Sequence, residues 1–287
     1  MISVIVSEGK PADVACRVLG VSSAGYYAWL SRAPSLRSIR HAWLTDLIAE
    51  AHQASHGAYG GRRIHAELVL GRGVQVGYNT ISLLMRRAGL AGRTGSRTAT
   101  RIRRLATAVD LVDRRFARDA PNQLWVTDLT EHYTREGKVY CAVVLDAYSR
   151  RIVGWSIDSA PTASLATNAL GMAIQSRGLV SGATLIHSDH GTQFTSWAFT
   201  ERAKQSGLVP SMGSIGDCFD NAVMEAFWSR LQVELLNTRR WRTRLELANA
   251  LFEYLEVFHN RQRRHSSLGM LTPIEYEMLH INPSAAA

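Results

Sequence analysis

The stretch LWVTDLTEHY, residues 124–133, is the segment on which the fold turns. Its mix of β-branched, aromatic and alternating polar residues predicts a strand. REGK (135–138) follows as a turn, and VYCAVVLDAY (139–148) and RIVGWSID (151–158) read as two further strands. A helix over TASLATNALGMAIQSRG (162–178) then leads to the short buried strand ATLIHSD (183–189). A helix over Trp197–Gln205 leads to a strand around LVPSMG (208–213). Two long helices, about Asn221–Leu236 and Leu245–Asn260, follow. Hairpin-linked strands succeeded by alternating helix and strand predict an α/β architecture, a mixed five-stranded sheet with flanking helices.

Three acids in this region are candidates for chemistry. Asp128 lies inside an apolar strand, where a carboxylate is costly unless it is paired or metal-bound. Asp189 ends the strand ATLIHSD, at the carboxyl end of a strand where α/β sheets build sites. Glu225 sits one turn into a helix. Each alone has an ordinary explanation: a solvated strand face, a turn cap, a solvated helix glutamate. The set is more specific. Sixty residues separate Asp128 from Asp189 and thirty-five separate Asp189 from Glu225, so a strand, a neighbouring strand end and a crossing helix can converge.

Such a cluster repels itself unless cations neutralise it, and oxygen ligands favour Mg²⁺ or Mn²⁺. Two ions about 4 Å apart suit phosphodiester chemistry, one activating a water or 3′-OH and the other stabilising the leaving oxygen. Asp128, Asp189 and Glu225 are therefore the expected catalytic residues and the expected ligands of two metal ions. Asp146 could replace or assist Asp128, although its neighbours suggest a turn cap. Asp217 and Asp220 read as loop or cap residues, Asn221 shares a helical face with Glu225, and His187 and Gln193 flank Asp189.

Upstream the character changes. Residues 1–119 hold 18 Lys/Arg against 8 Asp/Glu, whereas residues 120–287 hold 15 against 16. The net charge of +9 thus comes from the first part, which suits a region meeting a polyanion. Two helix-turn-helix patterns are expected in residues 1–90, at 1–36 and 40–90. In the first, Val14, Val18 and Leu19 form an apolar face and Ser23 can cap the next helix. The second opens with a helix over Ala42–His52 and ends with NTISLLMRRAGL (79–90). There Ile81, Leu84 and Met85 face inward, leaving Asn79, Thr80, Arg86 and Arg87 for solvent or DNA. Residues 91–118 read as a basic linker whose Arg101, Arg103 and Arg104 could follow a phosphate backbone, and 119–287 as the α/β region. Late arginines, Arg239, Arg240, Arg242, Arg244, Arg261, Arg263 and Arg264, are further candidates for holding phosphates.

The composition, 46% hydrophobic and 20% charged, is that of a folded chain. No apolar run reaches the roughly 20 residues of a membrane span, and no signal peptide is evident, so a bacterial cytoplasmic, nucleoid-associated location is expected. The three cysteines form no CxxC pair, and His52 and His56 have no partnering cysteines, so no zinc is expected.

The segments NQLWVTDLT (122–130), HSDHGTQFTS (187–196), SMGSIGDCFDNAVMEAFW (211–228), NRQRRHSSLGMLTPIEY (260–276) and CRVLGVSSAGYYAW (16–29) resemble the OrfB-type transposases of the insertion-sequence-three family. The resemblance implies a ribonuclease-H-like integrase catalytic core with Asp128, Asp189 and Glu225 as its triad. It also implies two divalent metals, cleavage of insertion-element ends, and strand transfer by a DNA 3′-OH. The implied partners are double-stranded DNA (terminal inverted repeats and target), further copies of the chain on that DNA, and an upstream-frame product. Two alternatives are a non-catalytic DNA-binding repressor and a structure-selective nuclease of the same fold.

Overall fold

The computed structural model describes residues 2–94, 118–178, 183–189, 191–212 and 222–281. The chain forms two compact units, Met1–Leu47 and Ile48–Ala287. The expected linker falls almost wholly outside the described residues, and the division between the units comes well before it.

The first unit holds the helices α1 (Ile2–Ser7), α2 (Ala12–Val18) and α3 (Ser23–Leu30). α3 is capped by Ser22, whose Oγ accepts from Gly25 N at 2.9 Å. The cap is therefore one residue earlier than expected, because Ser22 holds the extended conformation and Ser23 is already helical. The inward face of α2 also differs. Ala15 and Cys16 are buried, while Val14 and Val18 are 47% and 79% exposed. A seven-residue helix has room for one packed face, and here the small side chains take it. α4 runs over Leu36–Ala54.

In the second unit, α5 (Gly61–Ala66) continues as a π-helical turn, Glu67–Gly71, and α6 spans Tyr78–Arg87. Ile81, Leu84 and Met85 are buried as expected. The sheet follows, with β1 (Leu124–Thr134), β2 (Gly137–Asp146) and β3 (Ile152–Asp158) joined as an antiparallel meander. α7 (Ala163–Arg177), capped by Thr162, crosses to β4 (Thr184–Ser188). α8 (Trp197–Gln205) crosses to β5 (Leu208–Met212). The strand order is β3-β2-β1-β4-β5, with β4 and β5 parallel to β1. β1 is thus central, which explains why Leu124, Trp125 and Val126 are fully buried.

α7 lies directly on the meander at Gly154. A Cβ there would meet Ala169 O at 2.2 Å and Ala173 N at 2.6 Å, so only glycine permits this approach. Trp125, Val144, Leu165, Leu170, Phe194 and Phe199 fill the core around it.

α9 (Ala222–Glu234) and α10 (Arg244–Phe252) follow, and α10 passes into a π-helical segment, Glu253–Gln262. A last helix, α11 (Pro273–Ile281), is held by buried charges: Glu277 accepts from Ser149 Oγ at 2.7 Å and Arg151 at 2.7 Å, and also from Arg177. The α5–α6 hairpin packs on the end of this segment. The Tyr59 hydroxyl donates to Gln262 O at 2.8 Å and accepts from Arg264 N at 2.8 Å, and Arg63 Nε donates to Arg264 O at 3.1 Å.

Candidate active site

The register of the two central parallel strands explains how two acids become neighbours. β1 and β4 pair at Leu124↔Leu185, Trp125↔Ile186 and Val126↔His187. Carrying this register on by two residues sets Asp128 beside Asp189, on the same sheet face as Val126 and His187. The pairing ends between them, so the two carboxylates lie at the point where β4 has finished and β1 continues along β2 (Asp128↔Val143).

α9 supplies the third acid. Glu225 and Trp228 lie three residues apart and so share a helical face. Trp228 Nε1 donates to Asp128 Oδ2 at 3.0 Å, which pins that face of α9 to β1. The other Asp128 oxygen accepts from Leu129 N at 2.7 Å. Trp228 was not a sequence candidate. The spacing from Glu225 was the available signal, since whatever shares Glu225's face must meet Asp128.

The electrostatics follow from this placement. Burial is the largest influence on Asp128 and pushes its pKa up to about 6. The charges of Asp189 and Glu225 push the same way, while the bonds from Leu129 and Trp228 oppose them. Asp189 and Glu225 are exposed, and Asp189 Oδ1 accepts from Gly191 N at 3.0 Å. Among the described residues no three His, Cys, Asp or Glu side chains are gathered tightly enough to form a cation site as they stand. The donor set nevertheless fits a hard divalent cation, being all oxygen and mutually repulsive without one.

Asp146 plays a different part. Asp146 is fully buried and accepts from Asn122 N at 2.8 Å, Tyr148 N at 2.9 Å and Arg177 at 3.1 Å. It ties the strand ends together and does not stand in for Asp128. His187 is buried with Nδ1 3.2 Å from Ser211 Oγ, and Gln193 donates to Pro161 O at 3.3 Å. Asp217, Asp220 and Asn221 lie outside the described residues.

Models of the integrase core domain match residues 118–218 and 206–273, and a model of an HTH-like domain matches residues 39–98. The 31 kDa protein of insertion element IS600 from Shigella sonnei is 38% identical over 91% of this chain and 96% of its own length. Transposase InsF of insertion sequence IS3A from Escherichia coli K12 is 34% identical over 91% of this chain and 92% of its own. The chain belongs to the IS3 family of transposases. This transposase therefore carries an integrase catalytic core of the polynucleotidyl transferase class, preceded by a helical HTH region. Among solved structures, the HTLV-2 integrase catalytic core in complex with magnesium is similar with a TM-score of 0.41 and 20% identity, over 56% of this chain and 99% of that one.

The residues of the transposase expected to contact DNA fall into three groups. Asn79, Arg86 and Arg87 are exposed on α6, with Thr80 half-buried beside them, and Arg261 is exposed. Arg101, Arg103 and Arg104 lie outside the described residues. Arg263 and Arg264 depart from expectation, being only 3% and 4% exposed. Arg263 grips Glu234 with two bonds of 2.7 and 2.8 Å, and Arg264 binds Glu67 at 2.9 Å and Glu275 at 2.6 Å. Their guanidinium groups are consumed in internal pairing and do not face solvent as phosphate ligands. Burial works to raise the Glu234 carboxyl, yet the Arg263 bonds win and hold it below the usual range. Of the late arginines, Arg239 stacks on Trp241, 4.3 Å from the ring centroid, and Arg239, Arg240, Arg242 and Arg244 are all exposed.

Proposed function

We propose that this chain cuts the ends of an insertion element and joins them to target DNA through Asp128, Asp189 and Glu225. The observation that carries the proposal is the convergence itself. Asp128 and Asp189 are brought together by the β1–β4 register, and the charges of Asp189 and Glu225 both act on Asp128. A half-buried carboxylate repelled by two others is a poor structural choice and a good cation ligand.

In this reading the three carboxylates hold two Mg²⁺ or Mn²⁺ ions. When bound, these ions supply an acidified attacking oxygen and charge stabilisation on the leaving oxygen. The protein's own part is positional. Trp228 and Leu129 orient the Asp128 carboxylate, the β1–β4 register aims Asp189 at the same point, and α9 brings Glu225 to it. Water first attacks the phosphorus at the element end, breaking the bond to O3′ and freeing a 3′-OH. That hydroxyl then attacks a target phosphodiester and releases a new 3′-OH, so the number of phosphodiester bonds is conserved in the second step.

Residues 1–90 meet DNA, with Asn79, Thr80, Arg86 and Arg87 on α6 among the contacts, residues 91–118 link, and 119–287 perform the chemistry. Arg101, Arg103, Arg104, Arg261 and Asn221 are the remaining DNA contacts in this reading. The working assembly is at least a dimer on double-stranded DNA, acting with an upstream-frame product in a bacterial cytoplasm. No helix among the described residues is long and apolar enough to cross a membrane.

The test is incubation with labelled end-bearing duplex, target plasmid and Mg²⁺, with the upstream product supplied. Nicked ends followed by joined product support the proposal. Binding without nicking is the outcome expected of a repressor, and nicking without joining that of a nuclease.

A further inference from the structure

α9 has a second working face. While Glu225 and Trp228 look toward the acids, Val223, Ala226, Phe227 and Arg230 line a pocket of about 420 Å³ on the helix's other flank. Arg63, Arg150, Arg263, Ser266 and Ser267 complete its polar wall, and Leu145, His259 and His265 complete the rest. Four arginines thus surround one small space.

The acids nearby do not balance them. Glu234 is shared by Arg263, at 2.7 Å, and Arg63, at 3.5 Å. Asp146, which attracts Arg150, is already bound by Arg177. Among the described residues, no hydrogen bond or ion pair forms to the guanidinium of Arg150 or Arg230. Residue 150 also has φ 62°, a left-handed conformation that glycine or asparagine adopts at less cost. The two histidines cannot relieve the imbalance by deprotonating further, since burial and the neighbouring Arg263 already hold both below the ordinary histidine range. A surplus of positive charge around a half-open pocket, with Arg150 half-buried, Arg230 exposed and two exposed serine hydroxyls at the edge, is a recognition surface for a tetrahedral oxyanion.

We propose that this pocket binds a phosphate group, with Arg150 and Arg230 as the ligands and Arg63 and Arg263 setting the potential. The group is a DNA backbone phosphodiester in the setting of the function proposed above, on which this source rests. A phosphate seated there grips the rear of the helix that carries Glu225 and so registers DNA against the acids.

Two measurements test it, both in EDTA so that no cleavage occurs. In the first, anisotropy titrations of a labelled duplex across a salt series compare wild type with Arg150→Gln, Arg230→Gln and the lysine substitutions. Each glutamine variant is expected to lower the slope of log K against log salt by about 1, and each lysine variant to restore it. In the second, inorganic phosphate is compared with chloride at equal ionic strength for its effect on the thermal midpoint. A phosphate-specific rise in wild type that the glutamine variants lose shows that free phosphate also occupies the pocket. Glutamine variants that fold normally and match wild type in both arms overturn the proposal. If wild type binds no duplex even with the upstream product supplied, the transposition reading fails, and the phosphate arm alone then decides the pocket.

Discussion

Trp228 on α9 donates its indole N–H to Asp128 on β1 at 3.0 Å, and this one bond joins the helix of Glu225 to the strand of the most buried of the three candidate acids. It stabilises the ionised form of a carboxylate that burial and two neighbouring acids push up to about 6. The consequence can be read in activity.

Trp228→Phe keeps an aromatic ring against Phe227 but removes the donor. Asp128 then loses a bond that favours its charged form, and its pKa rises further. Because a proton and a cation compete for the same oxygens, the acid limb of the cleavage profile should move up by about one pH unit. Activity should fall near neutrality and recover toward pH 8. A limb that stays in place in Trp228→Phe would mean the indole only packs.

Glu234 and Arg263 form a buried pair that also collects Tyr254 and Arg63. Breaking it from one side strands a charge, so Arg263→Met and Glu234→Gln should each destabilise the second unit by about 3–5 kcal/mol. The folded-state pKa of Glu234 is depressed, so its contribution is present above the unfolded value near 4.3 and is lost as pH falls through the folded value. Urea midpoints for wild type and Glu234→Gln should therefore differ at pH 7 and converge as the solution is made strongly acidic.

Gly154→Ala places a methyl group against the backbone of α7, at Ala169 O and Ala173 N. Backbone cannot rotate away as a side chain can, so a loss of at least about 1–3 kcal/mol is expected. Chemical denaturation measures it. A neutral result would mean that α7 can lift off β3 at little cost.

The strands and helices of the second unit were legible because each carries its own period and its own punctuation. The β1–β5 segments alternate or run apolar over short lengths, and Thr162 and Ser196 cap the following helices. Of the three acids expected together, the neighbourhood of Asp128 and Asp189 was legible, since element type pointed to adjoining strand ends and the β1–β4 register sets them side by side. The fate of Arg263 and Arg264 was not. RQRRH shows charge but not partner, and Glu234, Glu67 and Glu275 reach it only through tertiary packing. Trp228 was hidden for a related reason: a tryptophan on an amphipathic helix looks like core until the strand beside it is known. In α2 the apolar valines suggested the wrong face because the pattern of a seven-residue helix is too short to outweigh packing of Ala15 and Cys16.

The central claim is that Asp128, Asp189 and Glu225 together perform cutting and joining. Its most direct measurement is the yield of joined product from pre-cut element ends in Mg²⁺, for wild type, Asp128→Asn, Asp189→Asn and Glu225→Gln, with DNA affinity measured alongside. Wild type should join, and each variant should lose joining by about 10³-fold or more while binding the ends as tightly. Joining at the wild-type rate by any one of the three variants would contradict the assignment of that acid and the account built on the set.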